Sequence, residues 1–540
     1  MNADEKFDRL TEEMIVKFFE INPDWATQLG RHDPYDYLLP DGSKKRLLMN
    51  LDWEEAFLKR LRETVHRDEL SEDHRLDWEV LERIHSYSLF TYHEHRLHEL
   101  NPDAFGVLGE LLFLMLARDY APLEKRMDAV ASRLENVPRY LEEFRSRFEE
   151  SRPVKLWTEV AIETAQGMAP LFQFLLQMAK GQISQKVYDR LSRAVEKLTP
   201  ELEKHVKWLK GLLPRATSNW TLGKEKFEKL IALRDLGMTS EQILRLGEEY
   251  LRKLKAERDR LVQQIAPGKT AECVQKMVEA DGPKTFEEAL AFTEKTMEEA
   301  KEFVQKKGLA TVHPGDKLFV RETPAFMAPL IPSAALEMPA KYDKPQIGIY
   351  VVTKPKDMAN LGKFLNYKSI RNVAVHEAYP GHFLQGCVSN RKSVLRLLIS
   401  APETVEGWAH YCEEMMAERG FNPDRETKLI QVMYGMFRAV RIILDVKLSR
   451  GEMTFDEAVN MLIEETRMSE EGATAEVRRY TQTPGYALSY LLGKHLILQL
   501  KQDVKKRMGD KFTEKLFHDT VIANGYLPFS LLRNILTKNL

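Results

Sequence analysis

A histidine–glutamate pair followed by another histidine is the stretch of this sequence whose residue types could do chemistry. His376 and Glu377 are adjacent, and His382 lies six residues after His376. Imidazoles hold zinc, and a neighbouring carboxylate can take a proton from the water on the metal. The stretch therefore predicts a zinc hydrolase with His376 and His382 as metal ligands and Glu377 as the general base. The alternative is a pair of structural histidines.

The spacing of the two histidines requires a break in the helix that carries them. Residues four apart lie about 40° apart around a helix, whereas residues six apart lie about 240° apart and face away from each other. Pro380 cannot donate a hydrogen bond to the His376 carbonyl, and Gly381 permits unusual dihedral angles. We expect the helix to bulge or restart at Pro380-Gly381, which would return His382 to the side of His376.

A catalytic zinc site with an open position needs a third protein ligand. Glu406, 24 residues after His382, is the best candidate, and His410 is the alternative ligand. His410 and Glu413 occupy helical positions next to Glu406, so that either could orient a histidine ligand from behind. Zinc is the expected metal, at one ion per chain, although manganese or cobalt would also suit two imidazoles and a carboxylate.

A third motif, between residues 478 and 497, supplies candidates for substrate contacts. Tyr486 and Tyr490 are four residues apart and share a helix face. We predict Tyr490 as the donor to the oxyanion and Tyr486 as a substrate contact. Arg479, with Arg478, could bind a substrate carboxylate through two parallel hydrogen bonds. The alternatives are an aromatic helix face packed in the core and a surface arginine pair.

The element expected to hold an extended substrate is a short strand before the His-Glu helix. Residues 313–356 are rich in proline and contain short β-branched runs, which predict a small sheet. Ile347–Val352 is the candidate edge strand, and Tyr350 within it is a candidate substrate contact by strand addition. A purely structural hairpin is the alternative.

The rest of the chain has helical periodicity, so the predicted fold is mainly α, a large multi-helix body with this small sheet beside the metal-binding helix. The chain is expected to form one compact unit with two lobes, residues 1–310 and 311–540, separated by a cleft. Predicted helices cover 4–20, 43–64, 69–98, 122–149, 155–180, 184–212, 222–264 and most of the chain after Tyr367.

Composition excludes several classes of partner. The 540 residues contain 80 Lys and Arg against 82 Asp and Glu, so that no basic excess favours nucleic acid. No apolar run reaches membrane-spanning length, and the charged first residues do not have the pattern of a signal peptide. The three cysteines indicate reduced thiols. These features predict a cytoplasmic protein without a membrane or nucleic-acid partner, and its oligomeric state stays open.

Three segments, HEAYPGHFLQ, VEGWAHYCEE and RRYTQTPGYALSYLLGKHLI, give the chain a resemblance to a known family. The chain resembles the domain-of-unknown-function 885 family, whose members are regarded as zinc peptidases of the gluzincin type. The resemblance implies a mostly helical single-unit fold with His376, His382 and Glu406 as metal ligands and Glu377 as the catalytic base.

These observations together predict a zinc-dependent metallopeptidase that acts on short peptides, as a carboxypeptidase or a dipeptidase. One alternative is hydrolysis of another small amide or an ester at the same site. A second alternative is a non-catalytic helical scaffold whose metal is structural, in which a fourth protein ligand would close the coordination sphere.

Overall fold

The computed structural model of the protein describes residues 2–324, 328, 331, 333–399 and 401–538. The chain forms two compact units, Met1–Trp220 with Ala340–Asp343, and Thr221–Pro339 with Lys344–Leu540. This boundary differs from the predicted division near residue 310. The reason is that the helix before residue 310 and the strand after it pack against each other inside the second unit.

The first unit is helical, and its long helices carry apolar residues at helical spacing on their buried faces. The predicted helix 4–20 is confirmed, with Asn2 as a capping-box residue. The helix predicted over 69–98 is interrupted, because Arg96 adopts a left-handed conformation. The helices are α1 (Ala3–Ile21), α2 (Pro23–Gln28), α3 (Lys44–Thr64), α4 (Glu72–Phe90), α5 (Leu97–Leu100), α6 (Gly106–Ala117), α7 (Leu123–Arg145), α8 (Lys155–Ala179) and α9 (Gln185–Leu212).

The second unit contains the sheet, the candidate site and the remaining helices, and Thr239 is the N-cap of one of them, where its side chain accepts a hydrogen bond from Gln242 N. The helices are α10 (Lys224–Leu233), α11 (Ser240–Ile265), α12 (Ala271–Ala280), α13 (Phe286–Lys307), α14 (Leu361–Leu365), α15 (Tyr367–Glu377), α16 (His382–Ser389), α17 (Leu395–Leu398), α18 (Pro402–Glu418), α19 (Arg425–Arg450), α20 (Phe455–Thr466), α21 (Glu470–Gln482), α22 (Ser489–Met508), α23 (Glu514–Ile522) and α24 (Phe529–Lys538).

The predicted strand region forms a three-stranded sheet, which together with the helices confirms the mainly α class. The strands are β1 (Lys317–Glu322), β2 (Ala334–Glu337) and β3 (Ile347–Val352), in the order β1-β3-β2. β3 pairs in parallel with β1 and antiparallel with β2. The prediction that β3 is an edge strand is therefore wrong. Both of its backbone edges are already hydrogen-bonded, so no substrate strand can add to it.

Four helices of the second unit, α15, α18, α19 and α22, surround the candidate site. α18 packs closely on α22, and α15 packs on both α18 and α19. The backbones of α18 and α22 approach at Gly407 and Gly493, where a side chain on either glycine would collide with the other helix. These two glycines therefore let the motifs VEGWAH and YLLGKH meet. Among the described residues, no helix is both long and apolar enough to cross a membrane.

Candidate metal centre

The helix that carries His376 ends directly after it, and a new helix begins at His382. α15 ends at Glu377, α16 begins at His382, and the Gly381 amide donates to the Val375 carbonyl at 3.1 Å. A side chain at position 381 would collide with the carbonyl oxygens of Val375 and His376. The predicted restart of the helix at Pro380-Gly381 is confirmed, and it turns His382 back toward His376.

The break brings together the three residues predicted as metal ligands. His376, His382 and Glu406 each offer a ligand atom within 4.8 Å of the others. His382 Nε2 lies 3.3 Å and His376 Nε2 lies 3.9 Å from Glu406 Oε2. Tetrahedral zinc with bonds of 2.0–2.2 Å requires ligand atoms about 3.4 Å apart. The donor types and their separations therefore fit a zinc ion after small side-chain movements.

In two of the three residues, the polar atom that faces away from the cluster is hydrogen-bonded to another side chain. His376 Nδ1 lies 2.8 Å from Glu413 Oε1, and the Tyr486 hydroxyl donates to Glu406 Oε1 at 2.8 Å. Protonation of His376 at Nδ1 leaves Nε2 as the free lone pair, which is the form a metal needs. These contacts orient His376 Nε2 and Glu406 Oε2 toward His382.

Glu413 is the centre of a buried network behind His376. Its carboxylate accepts from Asn372 Nδ2 and Arg438 Nη2, both at 2.9 Å, and it is 2% exposed. Burial alone would raise the pKa of Glu413. The guanidinium of Arg438 and the imidazoles of His410 and His376 outweigh burial and hold that pKa well below its usual range. Glu413 is therefore a carboxylate that fixes the orientation of His376.

His410, the alternative ligand, lies beside Glu413 and outside the three-residue cluster. Its Nδ1 is 3.5 Å from Glu413 Oε2, a long contact, and the side chain is 2% exposed. Burial, with the positive charges of Arg438 and Lys494, lowers the pKa of His410 to about 3. The structure thus places a neutral His410 in the network behind His376.

Glu377, the predicted base, is half-buried at the end of α15. Within the described chain no protein group hydrogen-bonds to its carboxylate. Its charge contributes to raising the pKa of His382, although burial opposes that rise and Glu406 makes a larger contribution. Burial, followed by the charge of Glu377, raises the pKa of Tyr350 well above its usual value. Glu377 is therefore near enough to His382 and Tyr350 to act on both electrostatically, and its oxygens accept no hydrogen bond from the described residues.

Tyr350 is buried on the central strand and lines a cavity of about 670 Å³. Ala374 of α15 and Tyr434 of α19 line the same cavity, together with Lys354 and Lys356. This volume is in the range of small-molecule sites. The cavity lies against the helix that carries His376, so it could accommodate part of a small substrate.

The predicted substrate contacts in the third motif have different environments. Arg479 Nη2 donates to Glu476 at 2.8 Å, so this guanidinium already has a carboxylate partner. The rings of Tyr486 and Tyr490 lie 6.1 Å apart, and the Tyr490 ring lies 4.0 Å from Arg441 Cζ. Tyr486 therefore supports Glu406, while Tyr490 faces a buried arginine.

The turn that carries Tyr486 is held by a buried carboxylate. Asp445 of α19 accepts from the amides of Gly485 at 2.7 Å and Leu488 at 2.9 Å. Arg234 donates to the Gly485 carbonyl. These contacts fix the backbone on both sides of Tyr486, and they place its hydroxyl on Glu406.

Sequence reasoning missed five polar residues of this site. Three of them, at 438, 441 and 445, lie within a largely apolar stretch of α19, and charged residues are rarely buried without a specific role. That pattern was the available signal, whereas the other two had none that distinguishes them from ordinary polar residues. The missed residues are Asn372, Arg234, Arg438, Arg441 and Asp445.

Comparison with known proteins establishes the family. The family described as bacterial proteins of unknown function (DUF885) matches residues 23–536, and the chain belongs to it. No curated protein matches the sequence. Two solved structures share the fold. One, described as a putative lipoprotein of unknown function from Shewanella oneidensis, is 24% identical with a TM-score of 0.81, over 98% of this chain and 100% of its own. The other, described as a putative lipoprotein from Colwellia psychrerythraea, is 20% identical with a TM-score of 0.85, over 99% of both chains.

The descriptions of these two structures contradict the predicted cytoplasmic location, which we withdraw. Both neighbours are described as lipoproteins, and both match nearly the whole chain. The prediction relied on charged first residues and on three cysteines, which the structure shows as free thiols. A fold with free thiols and a charged surface can occur in more than one compartment, so these features did not determine the location.

Proposed function

We propose that the protein is a zinc-dependent peptidase that acts on short peptides. One observation carries the proposal: two imidazoles and a carboxylate converge, while the adjacent Glu377 has no hydrogen-bond partner among the described residues. A purely structural zinc has no need of such a carboxylate. Within the described chain the cluster offers three ligands, which supports a site that keeps one open position.

Zinc at His376, His382 and Glu406 would supply a Lewis acid that makes water nucleophilic at neutral pH. The protein's own groups perform the proton transfers. Glu377 takes a proton from the attacking water and returns it to the leaving amine. Tyr490 is the candidate donor to the oxygen of the scissile carbonyl as charge develops on it.

The size of the cavity beside α15 supports a small substrate. A volume of about 670 Å³ accommodates a few residues of an extended chain. Short peptides, cleaved by a carboxypeptidase or a dipeptidase, are therefore the proposed substrates. Other small amides and esters could be hydrolysed by the same groups, and they belong in the same screen.

Metal content and hydrolysis together test this proposal. Zinc should be measured in the purified protein and in the His376→Ala, Glu406→Ala and Glu377→Gln variants, beside cleavage of a library of short peptides. We expect one zinc per chain in the wild type and in Glu377→Gln, and zinc loss in both alanine variants. Glu377→Gln should lose about 10²–10⁴-fold in rate.

Two results would overturn the proposal. A wild type that takes up no zinc after reconstitution would exclude the metal site. A zinc-loaded Glu377→Gln variant with full activity would exclude Glu377 as the base. If Glu406→Ala retains zinc while His376→Ala loses it, the third ligand is another residue and the proposed activity still stands.

A further inference from the structure

Arg441 is a buried guanidinium without a carboxylate partner. It lies on α19 and is 4% exposed; its side chain hydrogen-bonds Tyr490, but among the described residues neither Nε nor Nη2 has a hydrogen-bond partner. In the part of the chain that the structure describes, no carboxylate oxygen lies within 4 Å of its nitrogens. A buried charge without a partner is strongly destabilising. The position is therefore one that a negatively charged ligand would stabilise.

Arg438, one helical turn earlier, shows how the protein treats a buried arginine with a structural role. Its Nη2 donates to Glu413 Oε1 at 2.9 Å, and its exposure is similarly low, at 9%. The same helix thus carries a buried guanidinium with an ion pair at Arg438 and, among the described residues, one without an ion pair at Arg441. Burial alone does not explain this difference, since both side chains are buried. Only Arg438 has a carboxylate within ion-pair distance among the described residues.

Aromatic rings and an occupied carboxylate surround Arg441. Its Cζ lies 4.0 Å from the centre of the Tyr490 ring and 5.6 Å from that of Tyr480. Glu476 is near enough to act on Arg441 electrostatically, but its Oε2 already accepts from Arg479 and from the Tyr480 hydroxyl. The aromatic faces stabilise the guanidinium, while its buried Nε and Nη2 have no hydrogen-bond partner among the described residues.

Arg441 is connected to the candidate metal centre through two tyrosines. Tyr490, in the first turn of α22, contacts Arg441, and its ring lies 6.1 Å from that of Tyr486, which precedes the helix and donates its hydroxyl to Glu406 Oε1. A ligand on Arg441 would therefore lie beside the predicted oxyanion donor.

We propose that Arg441, next to Tyr490, binds the C-terminal α-carboxylate of the substrate peptide. The inference rests on the proposed function and narrows it to an exopeptidase that releases residues from the C-terminus. The planar fork of arginine matches a carboxylate through two parallel hydrogen bonds. Arg441 thereby replaces Arg479, which is paired with Glu476, as the residue that binds the terminal carboxylate.

Binding to the metal-free protein tests the carboxylate site independently of hydrolysis. Acetyl-trialanine with a free α-carboxylate and its C-terminal amide should be titrated into chelator-treated protein by calorimetry. We expect the acid to bind about tenfold tighter or more, since a charged hydrogen-bonded pair contributes that much. Arg441→Met should abolish the difference, Arg441→Lys should keep part of it, and Arg479→Met, the matched control, should keep all of it.

Hydrolysis by the zinc-loaded protein gives the second readout. Peptides with a free C-terminus should be cleaved near that end, and their amides about tenfold more slowly or worse. Arg441→Met should raise KM for the acids and leave the zinc content unchanged. The number of residues released in each step measures the separation of Arg441 from the scissile bond.

The two readouts separate the failure of this inference from the failure of the proposed function. Equal binding of acid and amide by the wild type, or an unchanged preference in Arg441→Met, would overturn the carboxylate site even if peptides are cleaved. If the protein binds the free-acid peptide more tightly than the amide but cleaves neither, the carboxylate site is supported and the proposed peptidase activity is excluded. If Arg441→Met does not fold, Arg441→Lys and the wild-type preference decide the matter.

Discussion

The charged groups around the metal centre differ in whether the protein supplies them with an ion-pair partner. The inner side consists of Glu413, which accepts hydrogen bonds from Asn372 and Arg438 and contacts His376 Nδ1. The outer side consists of Glu377 and Arg441, for which the described residues supply no ion-pair partner. Buried groups that lack partners are costly. The inner side therefore holds the candidate ligand His376 in position. The outer side carries the unpaired charges that the proposed substrate would contact.

The strongest test of the inner side is Glu413→Gln. This change leaves Arg438 buried without its anion and weakens the orientation of His376. We expect a loss of about 3–5 kcal/mol in the free energy of unfolding and of about 10–100-fold in zinc affinity. Denaturant unfolding and competition with a chelator measure the two effects.

Glu414→Gln is the matched control for that experiment. Glu414 is the next residue, but it is half-buried and pairs with Lys428 and Lys494 outside the His376 network. The Glu414→Gln substitution should lower the free energy of unfolding far less than Glu413→Gln does, and it should leave the zinc affinity unchanged. Equal effects of the two changes would show that the Glu413 network does not support His376.

Arg438 and Arg441, both on α19, should respond in opposite ways to the same substitution. Arg438→Met leaves Glu413 without its main cation and should cost about 3 kcal/mol of stability. Arg441→Met removes an unpaired buried charge and should leave the free energy of unfolding equal or higher, with loss of carboxylate binding as described above. Thermal and denaturant unfolding of both variants provide the comparison. A large stability loss in Arg441→Met would make Arg441 a structural residue.

Tyr486→Phe tests the hydrogen bond between Tyr486 and the candidate metal ligand Glu406. It removes the hydroxyl that donates to Glu406 Oε1, and we expect zinc affinity to fall about tenfold. Tyr480→Phe is the control, because its hydroxyl donates to Glu476 and touches no predicted ligand. Unchanged zinc affinity in Tyr486→Phe would show that Glu406 is oriented by its helix alone.

The last prediction concerns His410 and pH. Its pKa is lowered to about 3 in the folded protein, against about 6.5 in the unfolded chain. Between these values the unfolded chain binds the extra proton, so the free energy of unfolding falls as pH falls, by about 1.4 kcal/mol per pH unit. Above pH 6.5 this contribution is absent. The acid dependence of unfolding should be shallower in His410→Gln.

His93→Gln is the control for the pH experiment, since that histidine is half-exposed and lies on another part of the chain. It should leave the acid slope of unfolding unchanged. An identical slope in His410→Gln and the wild type would show that His410 does not contribute to acid unfolding.

The helices and the three ligand candidates could be predicted because their signals are local. The periodicity of α1, the N-cap Thr239 and the Pro380-Gly381 break depend on residues that are neighbours in sequence. Strand order could not be predicted in this way, because β3 is central only through pairing with β1 and β2, which both precede it in the chain and lie on either side of it in the sheet. The pairing of Arg479 with Glu476, by contrast, joins residues three apart on α21, so helical spacing alone could have predicted it.

The sequence by itself determined the mainly helical class and the place where one helix must stop so that two histidines can meet. Helical periodicity, capping and the restrictions of proline and glycine act over a few residues, so they are present in the sequence. Only the tertiary structure decided that Glu413 and Arg438 support His376. It also decided that Arg441 is buried with no carboxylate partner among the described residues. Those facts depend on the packing of α15, α18, α19 and α22, because hydrogen bonding and burial arise between residues that are far apart in the chain.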